Sequence, residues 1–300
     1  MTILTTERGR VIGAHGRHYN VELQSGQIRH CFPKGKRNDA AVGDWVAVQL
    51  QGEQEGVLIE IESRQNLLYR SDEWRTKQFA ANVDQMILVV AVKPTFSDDL
   101  LGRALTGGWA AEVDPIIVLN KTDLADDLPQ ARERLKPYRD LGVQILEASA
   151  LDSATVHAQI MPLLKNKTTL LLGQSAMGKS TLLNALVPHA QATTREHSQA
   201  LDAGKHTTTA TRLYHLPHQA GDLIDSPGVQ AFGLAHLSLE DIERGFPEFT
   251  EHKKHCRFYN CSHRREPNCG VLDALKRSEI DPRRHSLYER LLDEKASAKT

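Results

Sequence analysis

Three short segments, in an unexpected order along the chain, limit its fold more than any other feature. Gly173-Gln174-Ser175-Ala176-Met177-Gly178-Lys179-Ser180 fits G-x-x-x-x-G-K-[ST] without a gap. An apolar run, Thr169 to Leu172, precedes it, and a helical stretch, Thr181 to Val187, follows until Pro188. Strand, glycine-rich loop and helix in that succession form a phosphate cradle, with backbone N–H groups turned inward and the helix N-terminus adding positive potential. Well upstream, Asn120-Lys121-Thr122-Asp123 closes another apolar run. A carboxylate at Asp123 can accept from guanine N1–H and N2–H₂. Adenine offers neither donor, and a buried acceptor left unpaired costs about 1–3 kcal/mol. Downstream of both, Asp225-Ser226-Pro227-Gly228 follows the short apolar pair Leu223-Ile224. Asp225 suits Mg²⁺ held through water, and the Gly228 N–H suits a γ-phosphate.

A Ras-like GTPase carries its phosphate loop first and its guanine loop near its end. Here the guanine loop comes first, which reads as a circularly permuted P-loop GTPase binding GTP and GDP. The scrambled order is tolerable because ligands of open α/β sheets bind at the carboxyl ends of strands. Each loop needs its strand's place in the sheet and not its place in the chain. Within this constellation Lys179 neutralises β/γ charge, Ser180 offers a Mg²⁺ ligand and Thr181 opens the helix. Asn120 can tie the guanine loop to the phosphate loop, and Lys121 can lie along the base. Ser149 and Ala150, after the run Val143 to Leu146, suit a backbone contact to guanine O6. The stretch Thr207-Thr208-Thr209 lies where a first switch belongs, and one of its hydroxyls, with Thr208 the candidate, completes the Mg²⁺ shell. The attacking water has no obvious partner: the position after Gly228 is Val229, and Gln230 points the other way in extended chain. His236, close downstream, is the candidate catalytic residue, with His206 behind it.

At 300 residues the chain has room for more than this unit. Residues 1–65 show short alternating runs, Val11-Ile12, Tyr19 to Leu23, Trp45 to Leu50 and Val57 to Ile61, separated by turn signals. They suggest a small closed barrel, an OB-type barrel first, though another small barrel would read alike. Residues 66–83 read as a linker, 84–235 as the α/β GTPase domain and 236–300 as a mostly helical C-terminal domain. Asp281 and Pro282 open its last helix, with Leu287, Tyr288, Leu291 and Leu292 on one face. The longest apolar run, Met86 to Val92, suits a buried strand and is too short for a bilayer. No membrane attachment, a cytoplasmic location and a monomer are therefore expected.

Cys256-x4-Cys261-x-His263-x5-Cys269 supplies three thiolates and one imidazole, the closed tetrahedral set of a structural Zn²⁺. The net charge of -1 gives no global attraction to nucleic acid. Two local patches are basic: Arg29, Lys34, Lys36 and Arg37 with Phe32, and ten Lys and Arg residues between Lys253 and Arg290 with Phe258 and Tyr259 interleaved. Bases beside aromatics suit RNA phosphates and unstacked nucleobases, while a solvated charged face is the plainer reading of either patch alone.

Taken together, the chain resembles the small-ribosomal-subunit-dependent GTPase A family (RsgA, also YjeQ). Beyond the motifs above, the resemblance rests on Asn82-Val83-Asp84-Gln85, Gly204-Lys205-His206-Thr207-Thr208-Thr209, Cys261-Ser262-His263 and Glu266-Pro267-Asn268-Cys269. It spans nearly the whole length. Lys205 stands where the family usually carries Arg. The resemblance implies an OB barrel, a permuted GTPase and a zinc domain. It also implies binding to the 30S subunit and 16S rRNA, a late role in subunit maturation, and hydrolysis stimulated by the ribosome. A GTP-gated RNA-binding module with incidental turnover, or a large-subunit assembly GTPase, are the alternatives.

Overall fold

The computed structural model describes residues 5–35, 39–71, 76–188, 190, 210–226 and 234–297. Five strands, β1 (Thr6–His15), β2 (His18–Leu23), β3 (Ile28–Pro33), β4 (Trp45–Gln51) and β5 (Glu55–Ile61), run in the order β1-β2-β3-β5-β4. Pairing of Thr6–Arg10 of β1 with β4 closes them into an OB-type barrel. Val11, Val21, Val46 and Val48 fill its interior. Strand β3 has no counterpart among the four alternating runs of the sequence, because its inward positions are Arg29 and Cys31 rather than aliphatic residues. Both are buried. Burial pushes the Cys31 thiol up to about 11, so it stays a neutral core group.

The interval that reads as a linker carries a hairpin, β6 (Leu67–Ser71) with β7 (Thr76–Ala81). Ala80 bridges to Val42 of the barrel. The Asn82-Val83-Asp84-Gln85 segment then has a physical role. Asn82 Nδ2 donates to the Gly43 carbonyl at 3.1 Å. Asp84 accepts from the Thr168 N–H at 2.7 Å. Gln85, 1% exposed, donates to Leu163 O and Thr169 Oγ1 and accepts from Lys167 Nζ. Asn82 thus holds the barrel while Asp84 and Gln85 hold the segment from Leu163 to Thr169 of the next domain.

That domain is a sheet in the order β10-β9-β8-β11-β13-β12, built from β8 (Gln85–Ala91), β9 (Asp114–Asn120), β10 (Gln144–Glu147), β11 (Thr168–Gly173), β12 (Arg212–His215) and β13 (Asp222–Asp225). All pairs are parallel except β12 with β13. Every residue of β8 and β11 is buried, as continuous Val/Ile/Leu runs covered on both faces require. Helices α1 (Asp98–Ala110), α2 (Leu128–Asp140), α3 (Ser153–Leu164) and α4 (Lys179–Leu186) follow the strands. Ser97 caps α1 by accepting from the Leu100 N–H, with Asp98 and Asp99 in the first turn. Asp152 caps α3 in the same way.

The C-terminal region holds α5 (Leu239–Arg244), α6 (Gly270–Lys276) and α7 (Pro282–Ser297) around a stack of Phe246, Phe249 and Tyr288. It seats on α1 at two glycines. A Cβ on Gly102 would lie 2.5 Å from Leu287, and one on Gly245 would lie 2.4 Å from Thr106. Arg284, 3% exposed, donates to Glu248 at 2.7 Å and to the Gly245 carbonyl, with its guanidinium over the Phe246 ring. Two ion pairs, Arg290–Asp99 at 2.6 Å and Arg103–Glu294, border the joint. Helix α7 continues to Ser297. No helix among the described residues is long and apolar enough to cross a membrane.

Candidate nucleotide and metal sites

The permuted loops meet at one edge. Asn120 ends β9, Glu147 ends β10, Gly173 ends β11 and Asp225 ends β13, and these strands are parallel. Asn120 joins three of the loops with a single buried amide. Its Nδ2 donates to the Met177 carbonyl at 2.9 Å, and its Oδ1 accepts from the Ala150 N–H at 2.9 Å. Engaged in that way, the Ala150 amide shapes the loop. Gly178 has φ 88°, a left-handed conformation that favours glycine. A Cβ there would lie 2.1 Å from Asn120 Nδ2, so the second glycine also makes room for the guanine loop.

Lys121 stretches across this edge, its ammonium donating to Ala176 O at 2.8 Å and Lys93 O at 2.9 Å. The aliphatic stem is thereby held straight, a surface on which a base can lie. Beside it, Thr122, Asp123, Ala148, Ser149 and Leu151 line a depression of about 520 Å³, within the range of small-ligand sites. Asp152, Thr155 and Glu147 complete its rim, with Glu147 held by Arg132 at 2.6 Å. Gln174 turns away from the cradle and accepts from the Ser97 N–H at 2.7 Å, fixing the phosphate loop to the cap of α1. Ser175, Ala176, Ser180 and Thr181 are exposed on the loop and the first turn of α4.

Lys179 and Asp225 form a buried ion pair. The cation that would meet phosphate and the carboxylate that would hold Mg²⁺ converge on one point, and that donor set fits a Mg²⁺–nucleotide site. Thr207, Thr208, Thr209, His206, Gly228, Val229 and Gln230 lie outside the described residues. His236 is described: its exposed ring lies against Tyr69 of β6, with centroids 4.3 Å apart and the planes tilted by 37°.

The second constellation is the Cys₃His set. Ligand atoms of Cys256, Cys261, His263 and Cys269 all lie within 4.8 Å of one another. A tetrahedron with Zn–S of about 2.3 Å and Zn–N of about 2.0 Å requires S···S near 3.8 Å and S···N near 3.5 Å. Cys256 and Cys269 are 3.8 Å apart, and His263 Nδ1 is 3.6 and 3.4 Å from them. The spacing therefore fits zinc. Burial raises the thiols of Cys261, up to about 12, and Cys269, so a compensating cation is what lets them ionise. The Leu272 N–H points to Cys269 Sγ at 3.5 Å, and Glu243 stands 3.6 Å from His263 Nε2, itself anchored by Lys253 at 2.6 Å. A carboxylate behind the metal-ligating imidazole fixes its tautomer. No spacing rule marks Glu243, which comes from α5.

The structure corrects the basic patches. Arg29 is buried and donates to Gln27 within the barrel. Lys36 and Arg37 lie outside the described residues. In the C-terminal region Lys253, Lys254, Arg264, Lys276, Arg277, Arg283, Arg284 and Arg290 are each paired with an acid. Of the ten cations only Arg257 and Arg265 carry no ion pair among the described residues. What stands out instead is apolar: Tyr259 is fully exposed and Phe258 is 41% exposed, both on the loop between Cys256 and Cys261.

A parallel sheet that collects a phosphate loop, a guanine loop and an acidic strand end from permuted positions defines the class: a circularly permuted P-loop GTPase, flanked by a barrel and a Cys₃His helical region. A family model for the RsgA GTPase matches residues 61–235. The small ribosomal subunit biogenesis GTPase RsgA of Bordetella pertussis is 62% identical, covering 97% of this chain and 97% of the relative. That of Burkholderia pseudomallei is 55% identical over 96% and 92%. The crystal structure of YjeQ from Thermotoga maritima superposes with a TM-score of 0.73 at 29% identity, covering 97% of this chain and 99% of the other. YloQ, a circularly permuted GTPase, superposes with a TM-score of 0.71 at 30% identity over 99% and 97%. The chain belongs to the RsgA GTPase family, and it is a GTPase.

Proposed function

We propose that this GTPase acts on the small ribosomal subunit late in its maturation, from the cytoplasm, binding 16S rRNA and hydrolysing GTP faster when the subunit is engaged. The observation that carries this reading is full-length similarity to small-subunit biogenesis GTPases, combined with the Asn120 link between guanine and phosphate loops. The exposed Tyr259 and Phe258, with the Arg257 guanidinium 5.5 Å from the Phe258 ring centre, support contact with unpaired nucleobases more than the paired cations do.

At the site, Asp123 selects guanine, and the stem of Lys121 supports the base. Backbone N–H groups of residues 173–180 hold the phosphates. Lys179 leaves Asp225 for the β/γ oxygens as phosphate enters. Ser180, Asp225 and Thr208 are the residues to hold Mg²⁺, which when bound neutralises charge between the β- and γ-phosphates. Gly228 N–H receives the γ-phosphate, and His236 is the candidate to orient the attacking water. Its replacement by Ala should slow turnover while leaving GDP affinity in place.

Phosphate release with and without 30S particles, together with co-sedimentation on separated 30S and 50S particles, tests the reading. Association with 30S and faster release are expected. Binding without stimulation would favour a GTP-gated RNA-binding module, and binding to 50S a large-subunit factor.

A further inference from the structure

The barrel and the GTPase domain share one sheet, and the strand that joins them sits next to the nucleotide loops. Strand β12 is four residues long and lies between β13 and β1. Its first residue, Arg212, is opposite Asp225 on one side and opposite Gly13 of the barrel on the other. Along the chain β12 begins three residues after Thr209, the last of the three threonines. Its last residue, His215, is also held from both sides. Nδ1 is 2.7 Å from Asp222 of β13, and Nε2 is 2.6 Å from Glu22 of β2. Arg10 of β1 reinforces the same corner, pairing with Asp222 and donating to Thr168 of β11 at 2.8 Å. The Arg10 guanidinium also lies 5.2 Å from the centre of the Trp45 ring.

These contacts differ from the barrel's other anchor. Ala80–Asn82 meets Val42–Gly43 through the Ala81 N–H donated to the Val42 carbonyl at 2.9 Å, with the Asn82 amide added, at the turn before β4. Only the β12 joint brings barrel residues into register with the residue that ends β13, Asp225. A strand bonded on both edges cannot shift on one without loading the other.

We propose that β12 is a transmission strand: the loading state of the nucleotide site, felt opposite Asp225, reaches the barrel through the Gly13–Arg212 pairing and the His215–Glu22 bridge. His215 and Glu22 are then positioning residues, remote from the phosphates. The inference rests on GTP binding and not on any ribosomal role. Its consequence is that whatever surface the barrel offers to a partner changes with GTP and GDP, and that a partner gripping the barrel alters the nucleotide site in return, by linkage.

Amide hydrogen exchange on the full chain tests this, comparing GDP with a non-hydrolysable GTP analogue in the presence of Mg²⁺. Exchange in residues 6–23 should differ by at least about twofold between the two states. In Glu22→Gln and His215→Gln that difference should vanish, while the difference at residues 173–180 persists and shows that the variants are folded and loaded. The proposal is overturned if the native barrel shows no nucleotide dependence, or if both variants keep it. Absence of any difference at residues 173–180 would refute nucleotide discrimination itself, and the proposal with it.

Discussion

Asn120 shows how much of this site depends on one side chain. It is 2% exposed and bonded at both ends of its amide, donating to Met177 and accepting from Ala150. Gly178 is the space it occupies. Gly178→Ala would place a methyl group 2.1 Å from Asn120 Nδ2 at a φ of 88°, and neither neighbour has room to yield. A loss of about 1–3 kcal/mol is expected in urea unfolding; an unchanged midpoint would mean the joint is slack. Asp123 tests the chemistry instead of the packing. Asp123→Asn keeps one acceptor for guanine N1–H but sets an amide donor against the guanine 2-amino donor, so GTP affinity should fall on the order of 10²-fold, and a xanthine nucleotide, whose 2-oxo group accepts, should regain it. Fluorescent nucleotide titrations read both. Asp123 and Gly178 are legible in sequence because their motifs are contiguous and each position has a local reason. The Lys121 ammonium tie to Lys93 is not, since nothing near residue 93 marks its carbonyl as an acceptor.

Strands and helices carry the next level. Runs such as Met86–Ala91 are apolar from end to end, and burial on both faces leaves them no other place. Strand β3 escapes such reading because Arg29 and Cys31 occupy its inward positions. The corner at β12 gives a pH test. Hydrogen bonds to Asp222 and then Glu22 raise His215 to about 9, against burial that lowers it. A folded value above the unfolded one means the imidazolium stabilises the fold fully below about pH 6.5 and loses that contribution as pH rises through about 9. Thermal stability should therefore decline more steeply between about pH 6.5 and 9 in the native chain than in His215→Gln. Parallel slopes would show that the bridge is not formed in solution.

Across the whole molecule, the C-terminal region is a small body with two supports, the α1 joint and the Cys₃His set. Its aromatic stack of Phe246, Phe249 and Tyr288 is modest, so zinc should supply much of its folding free energy. Chelation, or Cys269→Ser, should release one zinc per chain and abolish the low-temperature unfolding resistance of residues 236–297. GDP affinity should change by less than about threefold, because no residue of the guanine loop or cradle comes from that region. Metal analysis and limited proteolysis read the first effect, and nucleotide titration the second. Loss of GDP binding on chelation would show that the two bodies fold as one.

The amino-acid order alone determined the chemistry that is local in the chain: the phosphate loop, the guanine loop, the ligand spacing of the zinc set, and the permutation that their succession implies. Each depends on backbone shape and on side chains a few positions apart, where propensity and spacing are strong constraints. Tertiary structure alone decided which charges remain free. Arg284 meets Glu248 across 36 positions and Arg264 meets Asp293 across 29, and such pairings leave few of the C-terminal cations without an acid. It also decided that β12 lies between barrel and nucleotide site, because strand order in a sheet is set by how buried faces fit together and not by distance along the chain.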